Sequence, residues 1–213
     1  LSGRNINALD LRADPLFLDG FLKPDFGSLT LSSLNFNNTA SMNSPTMVQD
    51  LAAIMKERGI VPELEAFDIG MINYSKYLER KKLIEPPYYF NLLLGNIACA
   101  QADLLHTGLM VRDLPEGSLY SLAGIGNEQL KMNSMAIAIG AGVRVGLEDN
   151  IWFDTERTKL ASNMELLNRI HIIAKANDRE IMQPEEFRSK MNLNPGNGEY
   201  GRKKQPSQDA FAN

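Results

Sequence analysis

Residues 143–150 read VRVGLEDN, and this stretch decides the fold because its polarity alternates from one residue to the next. Successive side chains of a strand point to opposite faces, so Val143 and Val145 share one face while Arg144 and Glu148 share the other. Removing charged groups from water costs several kcal/mol per ion unless they are paired or bind a metal. The stretch therefore predicts a strand with one apolar face and one face reserved for a site.

Strand-like runs alternate with helical runs along the rest of the chain, which indicates a parallel sheet with right-handed crossovers. Ser44 and Pro45 predict the start of the first helix, and Gly59 predicts its end. A short helix is expected near 184–191. The predicted strands lie at 26–36 with a loop, 63–68, 88–95, 118–124 and 143–148, and the later helices lie near 70–82, 101–111, 127–139 and 158–176.

The polarity of these strands distinguishes two kinds of parallel sheet. Interior strands of an open, doubly wound sheet are nearly continuous apolar runs, whereas Ser28, Thr30, Glu63 and Glu65 here alternate with apolar residues. A TIM (β/α)8 barrel explains the alternation, because its inner face becomes polar near the catalytic end. Five βα units do not close eight strands. We therefore expect the last five βα units of such an α/β barrel, preceded by the end of a third strand.

Composition limits the possible partners. The 213 residues are 44% hydrophobic and carry 22 basic and 26 acidic residues, without a basic stripe that would bind nucleic acid. No apolar stretch approaches the roughly 20 residues that span a bilayer. Cys99 is the single cysteine, so we expect no internal disulfide and a cytoplasmic location. We further expect a catalytic barrel portion at 1–193 and a disordered tail at 194–213.

Several polar residues allow more than one reading from the pattern alone. Glu148 and Asp149 could bind a cation, supply a base, or form ion pairs at the barrel mouth. An extended strand separates Arg144 from Glu148 by about 13 Å at ~3.3 Å per residue, so contact between them requires a loop that folds back. His106 and His171 fall in helical runs without ligand spacing, and we predict packed or surface positions for both.

The runs SLTLSSLNF, FDIG, LAGIG and VRVGLEDN together resemble the β-keto acid cleavage enzyme family, from about Leu1 to about Leu193. RVGLED is a specific signature of that family. The resemblance implies a zinc-dependent (β/α)8 barrel of amino acid catabolism that transfers coenzyme A from acetyl-CoA to a fragment of a 3-keto acid, such as 3-keto-5-aminohexanoate. Retro-Claisen cleavage would release acetoacetate. We also expect a homo-oligomer.

The resemblance also implies roles for particular residues. Glu148 resembles the zinc-binding glutamate at the end of the last strand. Arg144 and Asp149 resemble the pair that activates the substrate, in which Asp149 takes a proton while Arg144 orients it and stabilises charge. Glu65 resembles a third, acidic catalytic residue at a strand end. Zinc would polarise the keto oxygen, and a nearby guanidinium would keep a carboxylate base ionised.

The remaining predicted contacts concern the substrate and coenzyme A. Thr30 and Ser2 resemble substrate-binding positions. Gly124 and Gly126 form a GxG turn whose backbone N–H groups could approach a phosphate, although a plain turn fits the spacing equally well. The chain departs from the family after Gly126, where Asn127 stands in place of an arginine or similar donor.

A second departure leaves the activity open, because the family's His-x-His zinc motif does not occur in these 213 residues. Three protein ligands are usual for a catalytic zinc ion. We therefore expect a carboxyl-terminal portion that needs further strands for zinc binding and closure. Two alternatives are a non-catalytic barrel remnant that acts as a binding or assembly module, and a metal-dependent aldolase-type lyase.

Overall fold

The computed structural model describes residue 6 and residues 8–203. Its central element is a parallel sheet of five strands with helices packed against it, which confirms the predicted α/β class. In sheet order the strands are β1 (Phe26–Thr30), β4 (Val61–Ala66), β5 (Tyr88–Leu94), β6 (Ser118–Gly124) and β7 (Gly142–Val143). A separate antiparallel hairpin consists of β2 (Leu34–Asn35) and β3 (Ala40–Ser41).

The helices follow the strands in the order that βα units require. They are α1 (Leu9–Ala13), α2 (Pro45–Arg58), α3 (Ile69–Arg80), α4 (Leu104–Arg112), α5 (Gln129–Ala138), α6 (Asn163–Ala176) and α7 (Pro184–Lys190), with 3-10 turns at Asp14–Phe17, Gly20–Leu22 and Gly126–Glu128. None of the helices between residues 8 and 203 combines the length and the apolar character needed to cross a bilayer.

Local sequence signals fix where these helices begin and end. The side chains of Ser44, Asp68 and Asp103 each accept a hydrogen bond from the backbone N–H three residues later, at 3.2, 3.1 and 2.8 Å. Such caps satisfy backbone donors that the first helical turn leaves without partners. Gly59 ends α2 with a left-handed φ of 66°, as its position predicts. These caps start each helix just after a strand or loop, which keeps the βα units compact.

The two faces of the sheet differ as the alternation predicts. Leu29, Leu64, Phe90, Leu92 and Leu122 point toward the helices and form the main apolar core. The opposite face carries a polar row, in which β-sheet register aligns Thr30, Glu65, Asn91 and Ser121 across four strands. The polar row lies on the face that a barrel turns inward, so the structure agrees with a barrel portion.

The amino ends of the strands carry a second, apolar cluster on this inner face. Phe187 of α7 stacks on Phe26 at 5.7 Å and meets Tyr89 edge-on at 5.3 Å between ring centroids. Met191 and Leu193 are fully buried beside them. The carboxyl-terminal helix therefore covers the amino end of the inner face, and the polar row remains near the carboxyl end.

The structure departs from the sequence predictions at two element boundaries. Strand β7 covers only residues 142 and 143 instead of continuing to 148, because residues 147–149 form a turn. Helix α6 starts at Asn163 instead of near 158, because Ser162 and Glu165 form a reciprocal capping box.

The segment 194–203 also differs from its prediction. Arg202 donates hydrogen bonds to the carbonyls of Glu85 and Pro86, at 2.6 and 3.0 Å, and the Gly201 N–H donates to Asp25 at 2.7 Å. Disorder was predicted for the whole of 194–213, and these contacts show ordered packing up to residue 203. Residues 204–213 lie outside the described part, and the division into a catalytic portion and a tail stays a prediction.

Candidate active site

The guanidinium of Arg144 lies at the centre of a charged cluster at the carboxyl end of the sheet. Its nitrogens contact Glu65 Oε1 at 3.0 Å, Glu148 Oε2 at 2.9 Å and Asp149 Oδ2 at 3.1 Å. Glu65 is the next-to-last residue of β4, and Arg144 directly follows β7. The parallel sheet therefore brings together all three predicted catalytic residues and the predicted metal ligand.

A turn after β7 makes this cluster possible. The backbone N–H groups of Asp149 and Asn150 both donate to the Gly146 carbonyl at 3.3 Å, which reverses the chain. An extended strand would have kept Arg144 and Glu148 far apart. The prediction of a strand through 148 is wrong at this point, and the fold-back that contact requires is what the structure contains.

Two side chains of α5 hold this turn in place, and sequence reasoning missed both. Asn133 Nδ2 donates to the Arg144 carbonyl at 2.8 Å, and Gln129 Nε2 donates to the Gly146 carbonyl at 2.8 Å. Both residues are buried. The sequence did offer a signal, because Gln129 and Asn133 lie four positions apart on the buried face of a predicted helix. Buried polar groups need hydrogen-bond partners.

Burial and neighbouring charges shift the pKa of Asp149. Its side chain is only 4% exposed, and burial together with a hydrogen bond shared with Glu148 raises the pKa of Asp149 to about 6, against the opposing effect of Arg144. Burial alone would lower the pKa of Arg144, but Asp149 and Glu65 outweigh it and raise that pKa. A carboxylate with a raised pKa is a stronger proton acceptor once ionised than an ordinary aspartate.

A cavity of about 380 Å³ opens beside the cluster. Thr30 lines it, and its hydroxyl donates to Glu65 Oε2 at 2.7 Å. Arg12, which sequence reasoning did not single out, also lines this cavity. Ser2, the other predicted substrate contact, lies outside the described residues. The cavity offers a small organic acid both positive and negative groups.

A second cavity, of about 520 Å³, shares Phe36 and Ile125 with the first. Gly126 lines it, but its N–H already donates to the Asp149 carbonyl at 2.8 Å. A Cβ on Gly124 would lie 2.2 Å from the Glu128 carbonyl oxygen. Close packing and the support of the Asp149 turn thus account for this GxG as a turn, and a phosphate contact at Gly124 or Gly126 stays a prediction.

Arg157 supplies a cation at the second cavity from a different loop. Its Nε donates to Asn127 Oδ1 at 3.2 Å, and the Asn127 amide donates to the Thr155 carbonyl at 3.2 Å. Within the described residues, Arg157 contacts no carboxylate. The Arg157 guanidinium therefore lies beside Asn127, which stands in place of the arginine or similar donor expected from the family resemblance.

The described residues do not fit a zinc centre. Between residues 8 and 203, no three histidine, cysteine or acidic side chains converge as metal ligands would. Glu148 is paired with Arg144, His106 binds Asp103 at 2.7 Å, and His171 is exposed on α6. The acidic groups at the mouth converge on a guanidinium, so Glu148 as a zinc ligand stays a prediction.

Comparison with known proteins gives the family. The family model described as beta-keto acid cleavage enzyme matches residues 1–193. A 3-keto-5-aminohexanoate cleavage enzyme of Fusobacterium nucleatum is 35% identical over 174 residues, which cover 81% of this chain and 62% of that protein. A 3-dehydrocarnitine:acetyl-CoA trimethylamine transferase of Rhizobium meliloti is 32% identical, covering 80% of this chain and 57% of that protein. The chain thus spans about three fifths of the length of these curated relatives.

Solved structures show the same fold. ObcA in its ternary complex with a C4-CoA adduct and oxalate superimposes with a TM-score of 0.69 at 19% identity, covering 90% of this chain and 50% of that one. Apo ObcA gives a TM-score of 0.68 and covers 89% of this chain and 48% of that one. Together with the match to the family model and the RVGLED cluster, these findings establish that the chain belongs to the β-keto acid cleavage enzyme family.

Proposed function

We propose that this chain carries the catalytic end of an acyltransferase that converts acetyl-CoA and a 3-keto acid into acetoacetate and a new acyl-CoA. Family membership and the names of the relatives, which include acetyl-CoA transferases and 3-keto acid cleavage enzymes, support this reaction. The observation that carries the proposal is the contact of Arg144 with Glu65, Glu148 and Asp149 beside an open cavity.

The products dictate which bonds change. Acetoacetate contains the acetyl group of acetyl-CoA joined to C2 and the carboxylate of the keto acid. C2 must therefore lose a proton and form a bond to the acetyl carbon, and the coenzyme A sulfur leaves. The sulfur then adds to the original keto carbon, the bond between C2 and that carbon breaks with its electron pair left on C2, and C2 takes back the proton that the base removed. A base near C2 and a cation near the developing oxyanion are the groups that this sequence needs.

The cluster supplies both groups. Asp149, with a pKa raised to about 6, is ionised above that pH and serves as the base for the C2 proton. Arg144 keeps its charge and stabilises the negative charge that develops when the proton leaves. Thr30 hydrogen-bonds Glu65 and Glu65 contacts Arg144, so these two residues orient the guanidinium.

We assign acetyl-CoA to the second cavity. That cavity joins the first through shared lining residues, and Arg157 offers a guanidinium that suits a phosphate oxygen. We expect Arg157→Gln to raise KM for acetyl-CoA about tenfold and to leave KM for the keto acid unchanged. Arg112→Gln is the matched control, because Arg112 is exposed, pairs with Asp113 and lies outside both cavities.

The test measures acetoacetate formation by the protein from acetyl-CoA and 3-keto-5-aminohexanoate. We expect turnover that requires acetyl-CoA and falls at least a hundredfold in Asp149→Asn. Asp113→Asn is the control, because this aspartate is remote from the cavities and pairs with Arg112. Cleavage that proceeds without acetyl-CoA would instead identify an aldolase-type lyase, and a lack of turnover by the full-length protein loaded with zinc would identify a non-catalytic module.

Zinc dependence, a cytoplasmic location and homo-oligomeric assembly complete the proposal as predictions. Metal analysis of the protein and of Glu148→Gln tests the first of these. Retention of both zinc and activity by that variant would remove Glu148 as a ligand.

A further inference from the structure

Arg12 is a buried cation at the active-site cavity. The residue is 6% exposed, lies in α1 and lines the same cavity as Arg144. One terminal nitrogen donates to the Met42 carbonyl at 2.9 Å, and the other donates to the side-chain oxygen of Asn43. Its Nε is buried without a hydrogen-bond partner. All partners of Arg12 within the described residues are therefore neutral.

Arg12 is the one arginine of the described residues that is buried. The less buried Arg179 and Arg202 also donate to neutral carbonyls but lie outside the active-site cavity, whereas two other partly buried guanidinium groups have carboxylate partners. Arg144 contacts three carboxylates, and Arg188 contacts both oxygens of Asp25. Burying an ion without a counter-ion costs several kcal/mol, and burial accordingly lowers the pKa of Arg12. A charge held at such a cost beside an open cavity is suited to an anion that arrives from solution.

A carboxylate matches the charge of Arg12, which has no counter-ion among the described residues. A guanidinium presents its N–H donors in a planar fork, and it binds carboxylates more strongly than neutral acceptors. Arg144, in contrast, is already surrounded by carboxylates, which repel a further one. Of the two arginines that line the cavity, Arg12 is the one whose charge is available to an acid.

We propose that Arg12 binds the carboxylate of the 3-keto acid. This inference rests on the proposed function and assigns the group that recognises the substrate class. Every 3-keto acid carries this carboxylate next to C2, whatever its tail. Binding it to a cation reduces its repulsion of the carbanion that forms at C2, and it fixes the direction of the C2–H bond relative to Asp149.

A purely structural role for Arg12 has to be distinguished from substrate binding. Arg12 also connects α1 to the loop after β3 through Met42 and Asn43, so its removal will disturb this loop whether or not it binds substrate. Asn43 separates the two roles because it touches Arg12 and does not line the cavity. Asn43→Asp gives Arg12 an internal carboxylate, whereas Asn43→Ala removes the contact without adding charge.

The experiment measures acetoacetate binding to the protein by calorimetry at pH 7.5, without turnover, together with Tm. Asn43→Asp keeps an acceptor for Arg12 but loses the amide donor to the Ser32 carbonyl, so we expect its Tm to be at or above that of Asn43→Ala. We expect acetoacetate to bind Asn43→Asp at least tenfold more weakly than Asn43→Ala. Arg12→Met should lose measurable binding, and Arg58→Met, which lacks the cavity position, should retain it.

The possible results test the role of Arg12 separately from the proposed acyl-transfer reaction. Equal acetoacetate affinity in the two Asn43 variants, or loss of affinity that follows Tm alone, would overturn the role of Arg12. Failure of the wild-type protein to bind acetoacetate would overturn it as well. Binding that depends on Arg12 in a protein without acetyl-CoA-dependent turnover would support the carboxylate site while refuting the proposed reaction.

Discussion

The two ends of the inner sheet face are built from the same strands and yet have opposite chemistry. At the amino end, Phe26, Tyr89 and Phe187 form an aromatic cluster that α7 closes. At the carboxyl end, Arg144 and its three carboxylates line an open cavity. Apolar packing stabilises a fold, whereas buried charge stabilises it little and is kept for another purpose. The comparison assigns stability to one end and chemistry to the other, as is usual for barrels.

The largest expected effect lies at the amino end. Met191→Ala removes a fully buried side chain from the cluster with Val61 and Leu193, so we expect a loss of about 2–5 kcal/mol in the free energy of unfolding. Denaturant titration measures it. Below the new midpoint, kcat should stay within twofold of wild type. A large loss of kcat in folded protein would contradict the division of labour between the ends.

At the carboxyl end, Arg144→Met should lower activity, in contrast to Met191→Ala at the amino end. Removing the charge that faces the developing oxyanion should lower kcat/KM about 10²- to 10³-fold. Arg188→Met is the matched control, because Arg188 also binds a carboxylate but lies at the amino end. We expect this control to lower Tm and to retain kcat/KM. Equal losses of kcat/KM in Arg144→Met and Arg188→Met would contradict the assignment of chemistry to the carboxyl end alone.

The pH dependence of the carboxyl end follows from Asp149. With a pKa of about 6, activity should fall about tenfold for each pH unit below 6, and a kcat/KM profile measures this. Because the folded pKa lies above the ordinary aspartate value of 3.8, the folded state binds the proton more tightly. This stabilising contribution is complete below about pH 4 and is lost as pH rises through 6. Asp149→Asn should therefore gain stability relative to wild type between pH 4 and 7, and a constant difference would contradict the shift.

The smallest expected effect tests the polar row. Thr30→Val removes the 2.7 Å hydrogen bond to Glu65, worth about 0.5–1.5 kcal/mol, so kcat/KM should fall roughly two- to tenfold. Ser28→Ala is the control, since Ser28 lines the same cavity but makes its 3.0 Å bond to Glu63, one row nearer the amino end, and not to Glu65. We expect Ser28→Ala to leave kcat/KM unchanged. A larger loss of kcat/KM in Ser28→Ala than in Thr30→Val would place the catalytic residues one row nearer the amino end of the sheet.

Periodic features of the sequence predicted much of this fold. The alternation of Thr30 and Glu65 with apolar neighbours identified the inner face, and Ser44 and Gly59 fixed the ends of α2. These signals are local, since a strand or a cap depends on residues within a few positions. The individual residues of the cluster around Arg144 were also predicted. Their contacts, however, depend on a turn that an alternating pattern does not reveal.

The missed features depend on contacts between distant parts of the chain. Arg12 meets Asn43, 31 positions later, and nothing near residue 12 marks it as buried. Asn133 supports Arg144 through backbone atoms, which carry no residue-specific pattern. Arg202 binds carbonyls more than 110 positions earlier, so a composition typical of disorder concealed an ordered segment.

The pairing of Asp25 with Arg188 and Gly201 has a consequence for biosynthesis. These contacts join residues 163 and 176 positions apart, so the carboxylate of Asp25, just before β1, is satisfied only after α7 and Gly201 have been synthesised. Pairing at such separation is slow because loop closure must precede it. On the ribosome, Phe26 and Tyr89 stay uncovered until α7 emerges, and during that interval a holding chaperone has a hydrophobic surface to bind.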